Sequence, residues 1–420
     1  MSHCHNLFAG LALGLAASAA VGETCVPERL PAGGRALGEW IDAGNWRAPG
    51  NLRAGLRAPG TFMPRSSLPA DPAATPLPTA AQPLDLDRLT LADPTDGARR
   101  SVAFLLDSRL YAESVLVLYN GRVFAERNWH DARTDAPRLL QHAGRPLLSL
   151  LGVMSVAQGR LAGERAVARY LPPLAGQTGL RRLSVQRLLE GEARFAWPAA
   201  DVAGWRRAAG WAGEAAPAGV RDWLRQPGRW DAPLVDLPPP TAEGGPEDDL
   251  LAWLLAEAHG MPLARVFCEQ FQGRLRPERP VAWLTDAAGD ELAGGLVMSL
   301  RDFARVGQML VEARVTPRRS RIPDWFVEAL AAPAAGRGAP ELRGLRPGAE
   351  NRYGFVRLAG AGARIAILGA HGSSLYVDFD RRLVVALHAA HPEAGDPLQR
   401  AALESLWERL SAALPLPGRR

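Results

Sequence analysis

Arginine and histidine are the only basic side chains of this chain, because all 49 of its Lys and Arg positions are arginine and eight positions are histidine. A guanidinium stays protonated under ordinary conditions and is suited to planar, bidentate recognition of carboxylates and phosphates. Schiff-base chemistry, Walker phosphate loops and serine nucleophiles activated by a lysine are therefore excluded, and arginine cannot replace lysine as a base. GC-rich coding also explains the bias, so the missing lysine informs the chemistry and not the choice of ligand.

The N-terminus has the features of a secretory signal. Residues 7–21 form an apolar run that ends in small residues and is too short to span a bilayer comfortably. We therefore expect a signal peptide over residues 1–22, with an uncleaved anchor as the alternative. The mature protein is expected to be secreted or periplasmic, with no membrane contact after cleavage. In such a compartment Cys25 and Cys268 could form one disulfide.

Charge and cysteine spacing give little support to nucleic-acid binding or to a cofactor. The net charge of +5 is spread among acidic residues instead of being gathered into one basic run. Neither remaining cysteine has metal-ligand spacing. We therefore expect no nucleic-acid partner and no cofactor, and the oligomeric state stays open.

The first ordered element predicted is a hairpin. Residues 23–100 are rich in Pro, Ala and Gly, which indicates an extended lead-in that packs on the surface or acts as a linker. Residues 114–119 and 122–128 are predicted strands, and the Asn120-Gly121 turn between them is the strongest local signal for a hairpin.

The remaining elements predict an α/β (α+β) fold. Residues 146–159 are apolar on nearly all sides, which indicates a buried helix that starts at Pro146 and ends at Gly159. Strands near both ends of the chain, with helices between them, predict an antiparallel sheet flanked by helices, into which a mainly helical lobe is inserted. Helices are predicted over residues 248–259, 300–312 and 398–414, and strands over residues 353–358, 364–368, 374–378 and 383–388.

Three stretches carry specific motifs: residues 160–175 (RLAGERAVARYLPPLA), 292–310 (LAGGLVMSLRDFARVGQML) and 369–378 (GAHGSSLYVD). They resemble the serine β-lactamase and penicillin-binding-protein superfamily, in particular its nylon-oligomer hydrolase and esterase-like branch. In that order, they resemble the family's exit from the buried helix, its Ala-x-Gly-Gly segment with the helix after it, and its third motif, with His371-Gly372 in place of Lys-Thr-Gly or His-x-Gly. The resemblance implies a β-lactamase-like domain over residues 101–420. Its α/β lobe would comprise residues 101–160 and 350–420, and its helical lobe residues 161–349.

The resemblance also implies that two motifs are lost. Counting back from the buried helix puts the family's Ser-x-x-Lys on His142-Ala143-Gly144-Arg145, so that His142 stands at the nucleophile's position and Arg145 at the lysine's. Counting back from residues 250–258 puts Tyr-x-Asn on Glu243-Gly244-Gly245. Acylation in this family needs serine, lysine and tyrosine, so the substitutions predict a site that has given up acyl transfer.

The leading interpretation is an exported, catalytically inactive pseudoenzyme whose cleft is filled by an Arg145–Glu243 ion pair and binds a small-molecule or peptide ligand or a partner. A second hypothesis brings His142, Glu243 and His371 together as a metal or acid/base site, and a third makes His142 a nucleophile. Two further functions remain open: an active amide or ester hydrolase with a non-standard site, and a periplasmic scaffold.

Overall fold

The computed structural model describes residues 25–33, 41–191, 194–213, 216–235, 243–335 and 342–416. The predicted signal peptide, residues 1–22, lies outside these ranges. In the described parts of the chain, no helix has the length and apolar character that a bilayer crossing requires.

The larger sheet has seven antiparallel strands and joins distant parts of the chain. Its strand order is β12-β13-β14-β15-β16-β5-β6, so strands from near the C-terminus flank the predicted hairpin. The hairpin is confirmed: Asn120 and Gly121 both have positive φ, at 51° and 74°, as a two-residue turn with the strand twist requires. The seven strands are β5 (Ala112–Tyr119), β6 (Arg122–Asn128), β12 (Glu350–Arg352), β13 (Phe355–Arg357), β14 (Arg364–Leu368), β15 (Ser374–Asp378) and β16 (Leu383–Ala389).

The smaller sheet contains strands from the predicted lead-in. Its order is β1-β2-β10-β11-β7, and every pair is antiparallel. The lead-in expected over residues 23–100 is therefore only partly a surface segment. Residues 69–100 are mostly exposed or half-buried, whereas β1 and β2 belong to this sheet and Ser66 and Leu68 of β2 are buried. The strands are β1 (Glu28–Leu30), β2 (Arg65–Leu68), β7 (Arg138–Leu139), β10 (Val281–Thr285) and β11 (Glu291–Met298); two ribbons pair β3 (Thr90–Ala92) with β4 (Arg99–Ser101) and β8 (Arg194–Phe195) with β9 (Leu234–Val235).

Helices cover the sheets and form most of the middle of the chain. The buried helix predicted at residues 146–159 spans Arg145–Ala157, with Pro146 in its first turn, where a missing N–H costs nothing. The α/β (α+β) prediction is confirmed. The helices are α1 (Leu52–Arg57), α2 (Val102–Phe104), α3 (Arg145–Ala157), α4 (Thr178–Arg182), α5 (Val185–Glu190), α6 (Ala199–Ala208), α7 (Gly219–Arg225), α8 (Pro246–His259), α9 (Leu263–Leu275), α10 (Leu300–Val315), α11 (Asp324–Ala331) and α12 (Pro397–Ala413).

A disulfide attaches the N-terminal segment to the middle of the chain. Cys25 and Cys268 form an S–S bond with their Cα atoms 5.5 Å apart, and both residues are buried. Trp46 of the same segment is completely buried and packs on Phe62 and Trp211. The N-terminal segment is therefore an integral part of the core.

Candidate functional site

The mouth of α3 holds His142 at the position where the resemblance places the nucleophile. The preceding residue, Gln141, is buried and has a φ of 52°, a left-handed conformation that is uncommon outside glycine and typical of constrained sites. Nδ1 of His142 is buried, lies 3.8 Å from Oδ2 of Asp248, and has no hydrogen-bond partner among the described residues. Burial lowers the pKa of His142 to about 4, so this imidazole is neutral at neutral pH.

Arg145 is fully committed to hydrogen bonds inside the protein. Its Nε donates to Oδ1 of Asp248 at 2.7 Å, its Nη2 donates to the carbonyl oxygen of Leu188 at 2.7 Å, and its Nη1 donates to Oγ of Ser149. The side chain is only 3% exposed. The expected Arg145–Glu243 pair is therefore wrong, because the carboxylate that α8 turns toward α3 belongs to Asp248.

Asp248 is the centre of a buried ion cluster that also contains Arg145 and Arg194, called the inner cluster here. Arg194 donates to Oδ1 of Asp248 at 3.0 Å and to Oδ2 at 3.2 Å, and the backbone N–H of Gly245 donates to Oδ2 at 2.9 Å. Burial opposes ionisation of Asp248. The two guanidinium groups outweigh burial and hold the pKa of this carboxyl well below its usual range, so the cluster carries its full charges at neutral pH.

The first turn of α8 contains two further buried carboxyl groups, and each joins α8 to another element. Glu247 accepts from the backbone N–H of Phe195 at 2.6 Å and from Nε1 of Trp197 at 2.9 Å. Asp249 accepts from the N–H of Ala293 at 2.8 Å and from Nε1 of Trp205 at 2.7 Å. Burial raises the pKa of Asp249 to about 7. Sequence analysis did not identify this turn as part of the site. Three consecutive acidic residues are more than an exposed helix N-terminus needs to offset its dipole, so they were an available signal.

Glu243 lies in a second cluster, with Arg47 and Arg206, called the outer cluster here. Nη1 of Arg47 donates to Oε1 of Glu243, and its Nη2 donates to the carbonyl oxygen of Trp211 at 2.9 Å. Arg206 approaches the same Oε1 at 3.8 Å. Sequence analysis missed both arginines, because Arg47 belongs to the segment interpreted as a lead-in and Arg206 carries no motif.

His371 and Gly372 form a tight turn between β14 and β15. Nδ1 of His371 lies 2.8 Å from the carbonyl oxygen of His391, which can only accept, so Nδ1 carries the proton and Nε2 is left as an acceptor. Burial lowers the pKa of His371, so the ring is neutral at neutral pH. Gly372 has a φ of 89°, and a Cβ there would lie 2.1 Å from Nε2 of Gln399, so only glycine fits.

Parts of the three motif-like segments lie close together beside the mouth of α3, a region called the cleft here. A Cβ on Gly244 would lie 2.4 Å from Oδ2 of Asp248 and 3.3 Å from Nδ1 of His142, and a Cβ on Gly369 would lie 3.3 Å from Cβ of Ala143. The charge of Glu243 acts on the neighbouring His371. The metal hypothesis for His142, Glu243 and His371 is not supported, since the described residues contain no group of three such side chains arranged to hold a metal ion.

Comparisons with known proteins agree with this architecture. The chain matches no protein-family model. It is 26% identical over 368 residues to a 6-aminohexanoate-dimer hydrolase of Paenarthrobacter ureafaciens, covering 84% of this chain and 88% of the relative.

Solved structures show the same fold at low sequence identity. A Bacillus anthracis protein provisionally assigned as a 6-aminohexanoate-dimer hydrolase superposes with a TM-score of 0.74 at 16% identity, covering 90% of this chain and 98% of the other. A Bacteroides dorei protein provisionally assigned as a β-lactamase superposes with a TM-score of 0.56 at 16% identity, covering 74% of this chain and 97% of the other. The resemblance seen in the sequence motifs is thereby confirmed at the level of the fold.

Proposed function

Because this chain has the fold of the serine β-lactamase and penicillin-binding-protein-like superfamily, we propose that it is a member that no longer forms an acyl-enzyme and binds a ligand in its cleft instead. The observation that carries this proposal is the state of Arg145. The residue at the lysine position is an arginine whose donors already bind Asp248, Ser149 and the Leu188 carbonyl. Such a group can neither take a proton nor approach a nucleophile.

No serine of the buried helix replaces the lost nucleophile. Ser149 is completely buried, and its Oγ accepts from Arg145 and donates to the carbonyl oxygen of Leu189 at 2.6 Å. Ser155 is also buried and lies three turns into α3 from the cleft, where its Oγ bonds Leu151 and His259. Both hydroxyl groups are structural, which supports a cleft without serine acylation.

The sequence relative suggests the ligand class. The Paenarthrobacter protein is named for the 6-aminohexanoate dimer, a linear molecule with an amide bond, a free amine and a free carboxylate. We propose that a linear amide of this kind, or a similar peptide, occupies the cleft. The proposal includes export, which the buried Cys25–Cys268 disulfide supports because such bonds persist in oxidising compartments.

The covalent chemistry is tested by labelling with a fluorescent fluorophosphonate and a fluorescent penicillin. We expect no serine of the wild-type protein to be labelled, and peptide mapping of a label onto any serine of the cleft would refute the proposal. The triple variant His142→Ser/Arg145→Lys/Glu243→Tyr supplies all three groups that the resemblance implies for acylation, and it should gain label at residue 142. The matched control His142→Ala/Arg145→Lys/Glu243→Tyr lacks only the serine hydroxyl and should remain unlabelled.

A second candidate function rests on the tautomer of His371. With Nδ1 bound to the His391 carbonyl, Nε2 can accept a proton. Nε2 has no hydrogen-bond partner in the described residues, and it is not one of their buried polar atoms that lack a partner. A water could lose its proton to Nε2 while its oxygen attacks a bound acyl carbon. The imidazolium would then return the proton to the leaving group as the acyl bond breaks, without an acyl-enzyme.

Hydrolysis of p-nitrophenyl acetate separates this candidate from pure binding. It predicts turnover without a burst, reduced at least about tenfold in His371→Asn. The exposed His130 provides a matched control, because His130→Asn removes a surface imidazole and should leave the rate unchanged. Equal rates for all three proteins would leave ligand binding as the function.

A further inference from the structure

Arg206 has hydrogen-bond donors that the protein does not use. It lies on α6, and among the described residues its one ionic contact is with Glu243 at 3.8 Å, which is too long for a hydrogen bond. Nε of Arg206 is buried and has no hydrogen-bond partner among the described residues. A guanidinium carries five N–H groups, so this one is almost entirely unsatisfied by the protein.

The burial of the outer cluster makes this shortage costly. The Arg206 side chain is 26% exposed, whereas the Glu243 carboxylate is fully buried. Polar groups withdrawn from bulk water normally find acceptors, and an unpaired charge costs more than an unpaired neutral group. Glu243 accepts from Arg47, and its distance of 3.8 Å from Arg206 is too long for a second hydrogen bond.

The charges of the outer cluster favour an anion. Two guanidinium groups face one carboxylate, and both guanidinium groups are partly exposed, at 23% for Arg47 and 26% for Arg206. The carboxylate itself is hidden behind them. The surface that this cluster presents to a ligand is therefore cationic, and Arg206 has the most N–H groups without an acceptor.

The outer cluster borders the cleft described above. Glu243 immediately precedes Gly244, whose backbone lies against His142, and the Glu243 carbonyl packs on Gly294 of β11. The charge of Glu243 also reaches His371. The contact between Arg206 and Glu243 therefore places this guanidinium next to the residues that border the mouth of α3.

We propose that the cleft takes ligands that carry a carboxylate, and that this carboxylate binds the Arg206 guanidinium beside the Arg47–Glu243 pair. A carboxylate supplies two acceptor oxygens in the planar geometry that a guanidinium fork matches, and the bonds are charge-assisted. This inference rests on the proposed ligand-binding function and narrows its ligand class to linear amides with a free acid end.

Two probes that differ only in charge test the inference by isothermal titration calorimetry. The 6-aminohexanoate dimer carries the carboxylate, and its C-terminal carboxamide does not. We expect wild-type protein to bind the acid at least about tenfold more tightly than the amide, with the preference falling as salt is raised. In Arg206→Gln the two probes should bind with equal affinity, whereas Arg206→Lys should keep part of the preference.

Arg207 offers a matched control, because it is the next residue of α6 and is exposed. Arg207→Gln should keep the full preference for the acid. Equal binding of acid and amide by wild-type protein would overturn the carboxylate assignment and leave the ligand-binding proposal intact, as would an unchanged preference in Arg206→Gln. Binding of neither probe would also overturn the assignment, whereas the loss of acyl chemistry is judged separately by fluorophosphonate labelling.

Discussion

The inner and outer clusters both pair arginines with one buried carboxylate, yet they differ in how completely the charges are satisfied. Asp248 accepts from Arg145, Arg194 and a backbone N–H, and both arginine side chains are at most 5% exposed. Glu243 is equally buried, but its two arginines are about a quarter exposed and Arg206 is held only loosely. The inner cluster is closed to ligands, and the outer cluster is open to them.

This difference separates a structural role from a proposed role in recognition. The inner cluster contains Arg145, which the sequence resemblance aligns with the family's lysine, and it joins α3, β8 and α8. Buried pairs of this kind are costly to break, even when they contribute little net stability over an apolar core. The outer cluster contributes little to the stability of the fold, and it leaves N–H donors of Arg206 available to a ligand. Mutations should therefore affect stability at Asp248 and binding at Arg206.

The largest effect is expected for Asp248→Asn. The substitution removes the carboxylate that Arg145 and Arg194 share and leaves only Glu247, 3.5 Å from Arg194, to offset two buried cations, so the free energy of unfolding should fall by about 3–5 kcal/mol. Urea denaturation followed by circular dichroism measures the change. The matched control Asp222→Asn removes a carboxylate from an exposed pair with Arg225, 3.5 Å apart, and should cost under about 1 kcal/mol. Similar losses for both variants would contradict the distinction between buried and exposed pairs.

A comparable effect, spread over the pH range and opposite in sign to that of Asp248, is expected for Asp249, which has no cation among the described residues to offset its burial. Its pKa is about 7 in the folded protein and about 3.9 in an unfolded chain. Between these values the folded state binds the extra proton, so this group makes stability fall as pH rises, by up to about 1.4 kcal/mol per pH unit. Asp248, whose pKa is lowered, makes stability fall instead as pH drops into the acid range.

The difference between wild-type protein and Asp249→Asn isolates this titration. We expect the difference in unfolding free energy to decline from pH 4 to pH 7, whatever the variant's absolute stability. A difference that is constant over this range would mean that Asp249 is ionised in the folded protein.

The smallest effect on stability is expected for Arg206→Gln. Because Arg206 makes no hydrogen bond within the described residues, its replacement should change the free energy of unfolding by no more than about 0.5 kcal/mol. Arg194→Gln, which breaks the inner cluster, should lower the free energy of unfolding several times as much. Thermal unfolding of the two variants side by side measures the contrast. A large loss of stability in Arg206→Gln would show that the outer cluster is structural.

Local patterns predicted the elements well, because each depends on few neighbours. The Asn120-Gly121 hairpin, the strand at Ser374–Asp378 and the helix that starts at Leu300 all lie where periodicity and turn residues placed them. The resemblance also located His142 and Gly372 at one cleft. These features follow from spacing along the chain.

Ion pairing could not be predicted in the same way, because it depends on how segments far apart in sequence are oriented. Glu243 and Asp248 are five residues apart, but Glu243 lies before α8 begins, and it is Asp248 in the first turn of α8 that meets Arg145. The Glu243 carboxylate instead accepts a hydrogen bond from Arg47, which is 196 residues away in a segment without clear periodicity. Burial of Trp46, and not any local motif, brings that segment to the cleft.

The disulfide between Cys25 and Cys268 closes a ring of chain that contains the mouth of α3, both clusters and most of the helices. A protease that cuts once inside this ring produces two fragments that remain covalently joined. Such a nicked molecule would migrate near full length on a non-reducing gel and separate only after a thiol is added. While the disulfide is intact, the segments around α3 therefore stay covalently joined after a cut in one surface loop.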